Sequence, residues 1–278
     1  MDGSPGRTLR LTHGAEIPAI GLGTWPMVGD EATRVVTTAL RAGYRMIDTA
    51  EKYGNEEAVG AGVRASGVPR DEVFVTSKFN AEWHGRDLVA KAAQASLARL
   101  GLSYVDMFLI HWPNPWLDRY ADAWKGLLDL RDSGVVRAIG TSNFKPAHIE
   151  RLLAETGQAP EVNQIQLDPT LARTETRAYH AAHGIVTGAW SPLGRGSGLL
   201  DQPAIQNLAD RYGRTPGQIV LRWHVEHGIV PVPKSADPQR LTANLEIFDF
   251  RLTRADLDSI APLDRGEGTA RDSDTEGH

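Results

Sequence analysis

The sequence predicts an α/β protein, a (β/α)8 TIM barrel with an N-terminal β-hairpin, built as a single domain over residues 1–278. Three observations predict it. Eight short apolar runs alternate with helix-like segments, and such repetition implies parallel pairing. The chain length of 278 residues is close to the roughly 250 that one such barrel needs. The competing architecture, an open doubly wound sheet, lacks its dinucleotide fingerprint G-x-G-x-x-G. Gly21-Leu22-Gly23-Thr24-Trp25-Pro26 fails at the third glycine, and Gly194-Arg195-Gly196-Ser197-Gly198 also departs from it.

Taken in order, residues 9–11 and 16–17 flank Thr12-His13-Gly14-Ala15 as a hairpin ahead of the barrel. The eight strands are read at 20–23, 44–48, 73–78, 105–111, 135–140, 162–166, 185–190 and 229–232. Each is rich in β-branched or large apolar residues, as a strand covered on both faces requires. Asp30 reads as the N-cap of a helix whose Ala32, Val35, Val36, Ala39 and Leu40 share a face, with Gly43 as its stop. Asn55 reads as a second N-cap, with Glu56 and Glu57 in a first turn that favours negative charge. Thr215-Pro216-Gly217-Gln218 is a capping box, and Gly101 and Gly228 close two further helices. The tail at 265–278 is polar and glycine-containing, and is expected to be loosely ordered.

Composition narrows the function. A hydrophobic fraction of 41% is enough for a core, and 23% charged residues with net charge −5 are not the signature of a disordered chain. The mild acidity gives no reason to expect nucleic acid or an anionic membrane as partner. With no cysteine, disulfides, thiolate metal sites and thiol nucleophiles are excluded. Residues 1–7 carry no apolar run and no stretch reaches the roughly 18 apolar residues of a membrane span, so a cytoplasmic protein is expected.

Chemistry in such a barrel sits at the C-terminal strand ends. Those ends carry Asp48 and, on the next loop, Tyr53; then Lys78; His111; Ser142 and Asn143; Gln164; Trp190 and Ser191; and finally Lys234 and Ser235. A packing explanation serves for one such residue and is strained for all. Asp48, Tyr53, Lys78 and His111 form a coherent group. An ammonium at Lys78, held by Asp48, favours the tyrosinate and lowers the pKa of Tyr53, ordinarily near 10. Tyr53 then protonates a carbonyl oxygen while hydride reaches the carbon, and His111 orients that carbonyl through a second hydrogen bond. Each alone has a plainer reading: a buried Asp–Lys pair is usually structural, and a lone histidine at a strand end usually just fills a hydrogen bond.

At these residues the chain resembles the aldo-keto reductase family, and within it the prokaryotic branch similar to 2,5-diketo-D-gluconate reductase. The resemblance lies in residues 46–56 (MIDTAEKYGNE), Leu109-Ile110-His111-Trp112-Pro113, Val232-Pro233-Lys234-Ser235, Gly21-Leu22-Gly23-Thr24-Trp25 and Gly140-Thr141-Ser142-Asn143-Phe144, and covers residues 9–263. It implies a catalytic tetrad of Asp48, Tyr53, Lys78 and His111, with extended NADPH delivering hydride to an aldehyde or ketone and leaving as NADP+. It further implies that Ser142, Asn143 and Gln164 hold the nicotinamide carboxamide, that Trp190 stacks on its ring, and that Ser191, Leu193 and Asn244 contact pyrophosphate and adenine. The family's usual glutamate before Asn244 is Ala243 here, which removes part of the adenine contact. Most small relatives in the family are monomers.

A phosphate site follows on physical grounds as well. Asp237 and Pro238 open a helix whose free N–H groups face the barrel top, with Lys234 and Arg240 adding two cations beside Ser235. That suits the 2′-phosphate of NADPH better than the bare ribose of NADH. Trp25, Trp83, Trp112 and Trp116, on loops after the first, third and fourth strands, are expected to line an apolar substrate pocket. The short loops there resemble those of the prokaryotic branch of the family, and that resemblance implies small aldehydes, dicarbonyls and keto-sugars as substrates. His180 with His183, and His224 with His227, read as surface or helix-end residues with no third ligand, so no metal is expected. Two other functions compete: a non-catalytic NADPH-binding subunit or redox sensor, and a barrel lyase with Lys78 or Lys234 as Schiff-base amine.

Overall fold

The computed structural model describes residues 8–278. Residues 1–7, the segment with no apolar run, lie outside the described residues.

Strands β1 (Thr8–Arg10) and β2 (Glu16–Pro18) form the antiparallel hairpin, with Leu9 opposite Ile17. Eight parallel strands follow: β3 (Leu22–Gly23), β4 (Met46–Asp48), β5 (Phe74–Phe79), β6 (Val105–Ile110), β7 (Val136–Ser142), β8 (Val162–Gln166), β9 (Val186–Trp190) and β10 (Val230–Pro231). Each pairs with its sequence neighbour. The ladder closes on itself where Gly21 N–H donates to Pro231 O and Gly23 N–H to Pro233 O, both at 3.0 Å. A Cβ at Gly23 would stand 2.7 Å from the Val232 carbonyl oxygen, so only glycine lets the first and last strands meet. The barrel interior is apolar: Met46, Phe74, Met107, Leu109, Val162 and Val230 pack there with Leu11 and Ile17, so the hairpin stoppers the N-terminal end.

Helices α1 (Gly29–Ala42), α2 (Glu56–Ser66), α3 (Arg86–Leu100), α4 (Tyr120–Asp132), α5 (Pro146–Thr156), α6 (Thr174–Ala182), α7 (Pro203–Tyr212), α8 (Pro216–Glu226), α9 (Pro238–Leu245) and α10 (Arg254–Ile260) surround the sheet. All eight expected strands exist; β8 keeps its expected bounds and the others have shifted ends. The strand expected from residue 44 begins at Met46, because Tyr44 N–H is taken by Ala39 O at the end of α1. The outermost strands are short because Pro231 and Pro233 have no N–H to extend a ladder.

Three local readings need correction. Asp30 lies inside the first turn of α1, whose cap position is Val28. Asn55 holds the cap position of α2 without a capping bond; it accepts from Thr49 Oγ1 at 2.6 Å and donates to Thr24 O and Met27 O, tying two loops together. Glu56 is buried and accepts from Ser77 and Arg99, so its charge is matched by an arginine rather than by a helix end. His180 and His224 are helix-end residues, as one of the two readings had them, in the last turns of α6 and α8, and there they are fully buried. By contrast, Thr215 caps α8 with Gln218, and Asp237 accepts from Arg240 N–H at the start of α9, both as expected.

The tail differs most from its composition. It crosses the top of the barrel as a strap instead of hanging loose. Glu267 accepts from Thr176 and pairs with Arg173 at the start of α6. Asp272 and Asp274 meet Lys145 before α5, and Asp274 also meets His148. Acidic tail residues fall opposite cations gathered at helix N-terminal ends, which gives the strap a fixed course.

Candidate active site

Strand ends place the four residues of the expected tetrad together. Asp48 ends β4, Lys78 stands in β5, His111 follows β6, and Tyr53 lies on a 3-10 turn (Glu51–Tyr53) just beyond β4. Lys78 is fully buried, and its Nζ donates to Asp48 Oδ1 at 2.7 Å, Thr49 O at 3.0 Å and Tyr53 OH at 3.4 Å. An ammonium has three donors, so all are engaged. The second oxygen of Asp48 accepts from Gln164 Nε2 at 2.8 Å, across the barrel. Tyr53 meets His111 edge-on, with ring centres 5.7 Å apart.

Electrostatics sharpen the picture and correct one expectation. Burial pushes the Tyr53 hydroxyl up; the Lys78 ammonium pulls it down, yet burial and Asp48 prevail, so the net direction is upward. Tyr53 is therefore a neutral phenol rather than an incipient tyrosinate, and it holds its proton. Burial alone lowers Lys78, but Asp48 and Tyr53 outweigh it and keep the ammonium charged. Burial, then the Lys78 charge and His278, hold His111 well below its ordinary value, so its imidazole is neutral.

Asp48, Tyr53 and His111 line a cavity of about 440 Å³, with Lys78 buried behind them. Of the ten residues read as cofactor-binding, Ser142, Asn143, Gln164, Trp190, Ser191, Leu193 and Lys234 line it. Asn143 and Ser191 have φ of 65° and 53°, left-handed values rare outside glycine, and both lie at strand ends beside the cavity. Asn143 donates to His111 O and Ser142 Oγ and accepts from Trp190 Nε1 at 2.8 Å, which fixes the indole as a wall. The remaining three lie apart. Ser235 is buried and accepts from Asp237 N–H. Arg240 is exposed on the first turn of α9. Asn244 is buried beside the Tyr44 hydroxyl, close enough to influence its ionisation without a well-formed hydrogen bond. Of the four tryptophans, Trp25 and Trp112 line the cavity. Trp83 instead donates its indole N–H to Glu51, and Trp116 is 53% exposed on the turn Pro115–Leu117.

The sequence profile of the Aldo/keto reductase family matches residues 19–265. The chain belongs to that family. It is 47% identical over 268 residues to 2,5-diketo-D-gluconic acid reductase B of a Corynebacterium species, covering 96% of this chain and 97% of the relative. With methylglyoxal reductase DkgA of Escherichia coli it shares 43% over 267 residues, covering 96% of each. Among solved structures, a variant of Gox0644 in complex with NADPH superposes with TM-score 0.93 at 38% identity, covering 98% of this chain and 99% of that one. An aldo/keto reductase from Brucella melitensis gives TM-score 0.89 at 43% identity, covering 93% and 99%. As a member of this family the chain is an oxidoreductase that acts on carbonyl groups.

Sequence reasoning missed three ionisable residues on the wall of this aldo/keto reductase cavity: Arg195, Arg271 and His278. Arg195 stacks on Trp25 at 4.3 Å, across the mouth from its own loop. Its glycine-flanked setting, Gly194-Arg195-Gly196-Ser197-Gly198, was a usable signal: all three glycines have positive φ, as a tight loop over a cavity requires. Arg271 and His278 belong to the strap, and nothing in a polar tail announces where it lands.

Proposed function

We propose that this chain reduces small aldehydes and ketones with NADPH, with Tyr53 as the proton donor. The observation that carries the reading is the triple donation of the buried Lys78 to Asp48, Thr49 and Tyr53 beside a neutral His111, at the edge of one cavity.

The residues present fit the nicotinamide cofactor. Trp190, oriented by Asn143, offers a flat apolar platform. Gln164 spends one amide hydrogen on Asp48 and keeps Oε1 and its second hydrogen for a carboxamide. Lys234 lines the cavity and is exposed, with Arg240 nearby on the first turn of α9, and both suit a phosphate. Bound there, NADPH would supply the hydride. Tyr53 passes its proton to the carbonyl oxygen, and the phenolate left behind rests against the Lys78 ammonium, which stabilises it. Asp48 holds that ammonium in place. His111 gives the carbonyl oxygen a second hydrogen bond, and Tyr53 regains a proton from solvent.

The Schiff-base alternative draws no support from Lys78, since that chemistry needs a free amine and its three hydrogens are all donated. Substrates fit small dicarbonyls such as methylglyoxal and keto-sugars, in keeping with the names of the relatives. The same reading has the enzyme act as a cytoplasmic monomer; no helix among the described residues is long and apolar enough to cross a membrane.

The test is loss of reduced-nicotinamide absorbance with methylglyoxal, for the unaltered protein and Tyr53→Phe, with NADPH and NADH. Turnover that prefers NADPH and drops at least about a hundredfold in Tyr53→Phe is expected. Turnover that survives Tyr53→Phe removes Tyr53 as donor. NADPH binding without turnover on aldehydes, ketones and sugars points to the binding-subunit alternative.

A further inference from the structure

We propose that His278, at the tip of the strap, is a positioning residue that sets the tautomer of His111, so that His111 presents an N–H to the substrate carbonyl. The inference rests on the reductase reading above. His278 Nε2 lies 3.3 Å from His111 Nδ1, and the rings meet edge-on with centres 4.6 Å apart. Among the described residues, no other side chain or backbone group hydrogen-bonds either ring nitrogen of His111.

A neutral imidazole carries one proton on one of two nitrogens. His111 is neutral, so it can donate to a carbonyl oxygen from one nitrogen only if the other accepts. His278 Nε2–H donating to His111 Nδ1 places the His111 proton on Nε2, the nitrogen left for the cavity. The reverse orientation aims a lone pair at the carbonyl oxygen, where charge develops in the reaction and a donor is needed. With a carbonyl bound, only the first arrangement satisfies both contacts.

The strap delivers His278 to this point through contacts along its length. Lys145 holds Asp272 and Asp274, and Arg271 pairs with Glu276 while lying 5.2 Å from the centre of the Trp112 ring. Gly277 runs so close to Asn114 that a Cβ would stand 2.5 Å from its Nδ2. The imidazole of His278 then rests against Trp112, ring centres 6.0 Å apart, as well as against His111.

The experiment uses the full-length protein labelled with nitrogen-15 histidine, and long-range proton–nitrogen spectra that report which ring nitrogen carries the proton. His111→Asn identifies the His111 signals. In the unaltered protein, His111 should be protonated on Nε2. In His278→Phe that preference should be lost, with kcat down roughly tenfold and the NADPH dissociation constant unmoved. His278→Gln, whose amide nitrogen donates from nearly the same place, should restore both. A proton on Nδ1 in the unaltered protein overturns the proposal. So does a His278→Phe protein whose tautomer and kcat are unchanged, or one in which only KM rises, because then the strap merely shapes the pocket. The tautomer is readable without turnover, so a failed reductase reading and a failed positioning role give different results.

Discussion

The two ends of the cavity are built on opposite plans. At the Tyr53 end, buried and half-buried polar groups are bonded to one another before any ligand arrives: Lys78 to three oxygens, Asp48 to Lys78 and Gln164, Asn143 to His111, Ser142 and Trp190. At the far end, Lys234 stands exposed on the cavity wall and Arg240 stands exposed outside it on the first turn of α9, with no hydrogen bond or ion pair from either side chain among the described residues. The first end is rigid because an unmatched charge in the interior is strongly unfavourable. The second can leave its cations uncommitted because water solvates them. Geometry that must be held to a fraction of an ångström is buried; charge that only has to attract is left outside.

Lys78→Met breaks the first plan most directly. It strands the Asp48 carboxylate in the interior, and unfolding in urea should show a loss of about 3 kcal/mol together with loss of turnover. Unchanged stability would mean that the pair is not needed by the fold, and the contrast between the two ends would fall.

Acid should act on the interior in the same sense. Burial, with lesser contributions, holds His84, His180 and His224 down at about 4 and His111 well below its ordinary 6.5. The unfolded chain protonates these side chains near 6.5 while the folded protein does not, so acidification favours unfolding. The stability they contribute is complete above 6.5 and falls from there toward 4, at up to about 1.4 kcal/mol per pH unit for each histidine. Urea midpoints that stay level between about pH 7 and pH 5 would contradict this.

The open end should respond in binding and not in folding. Lys234→Met and Arg240→Ala should each weaken NADPH about tenfold and leave NADH binding and the urea midpoint nearly unmoved. Equal losses for both cofactors would show that the cations do not read the 2′-phosphate. The smallest effect is that of salt. Raising it about tenfold should weaken NADPH a few-fold and spare kcat at saturation, because screening reaches exposed charges and spares buried pairs. A kcat that fell with salt would mean the Tyr53 end is wetter than its burial implies.

The same division governed how much of the molecule was legible in the sequence. Barrel strands announce themselves by apolar composition, and in a parallel barrel the strand ends face the working pole, so Asp48, Lys78 and His111 stood out by position, whereas Gln164, in the middle of β8, drew its assignment from the family resemblance. Thr215 and Asp237 were readable because a cap is a local event. Asn55 was misread for the same reason: its amide serves Thr24, Met27 and Thr49, partners that no local rule names. Trp83 and Trp116 were assigned to the pocket by loop position, yet the indole N–H of Trp83 needed an acceptor and found Glu51. The strap was the largest omission. Its acidic residues match Lys145 and Arg173 more than ninety positions away in sequence, as Glu267 with Arg173 and Asp274 with Lys145 illustrate, and composition carries no record of such pairing.

The hydrogen bond from Gln164 to Asp48 spans 116 positions of chain. It joins β8 to β4, so a ribosome that has released only the first four barrel strands has made Asp48, Lys78 and His111 without the amide that secures one of Asp48's oxygens. The bond that secures Asp48 therefore waits for β8, two strands before β10 meets β3 and closes the cylinder. Two fragments divided between β6 and β7 would regain activity only by reassembling, and returning activity would serve as a clock for the final stage of folding.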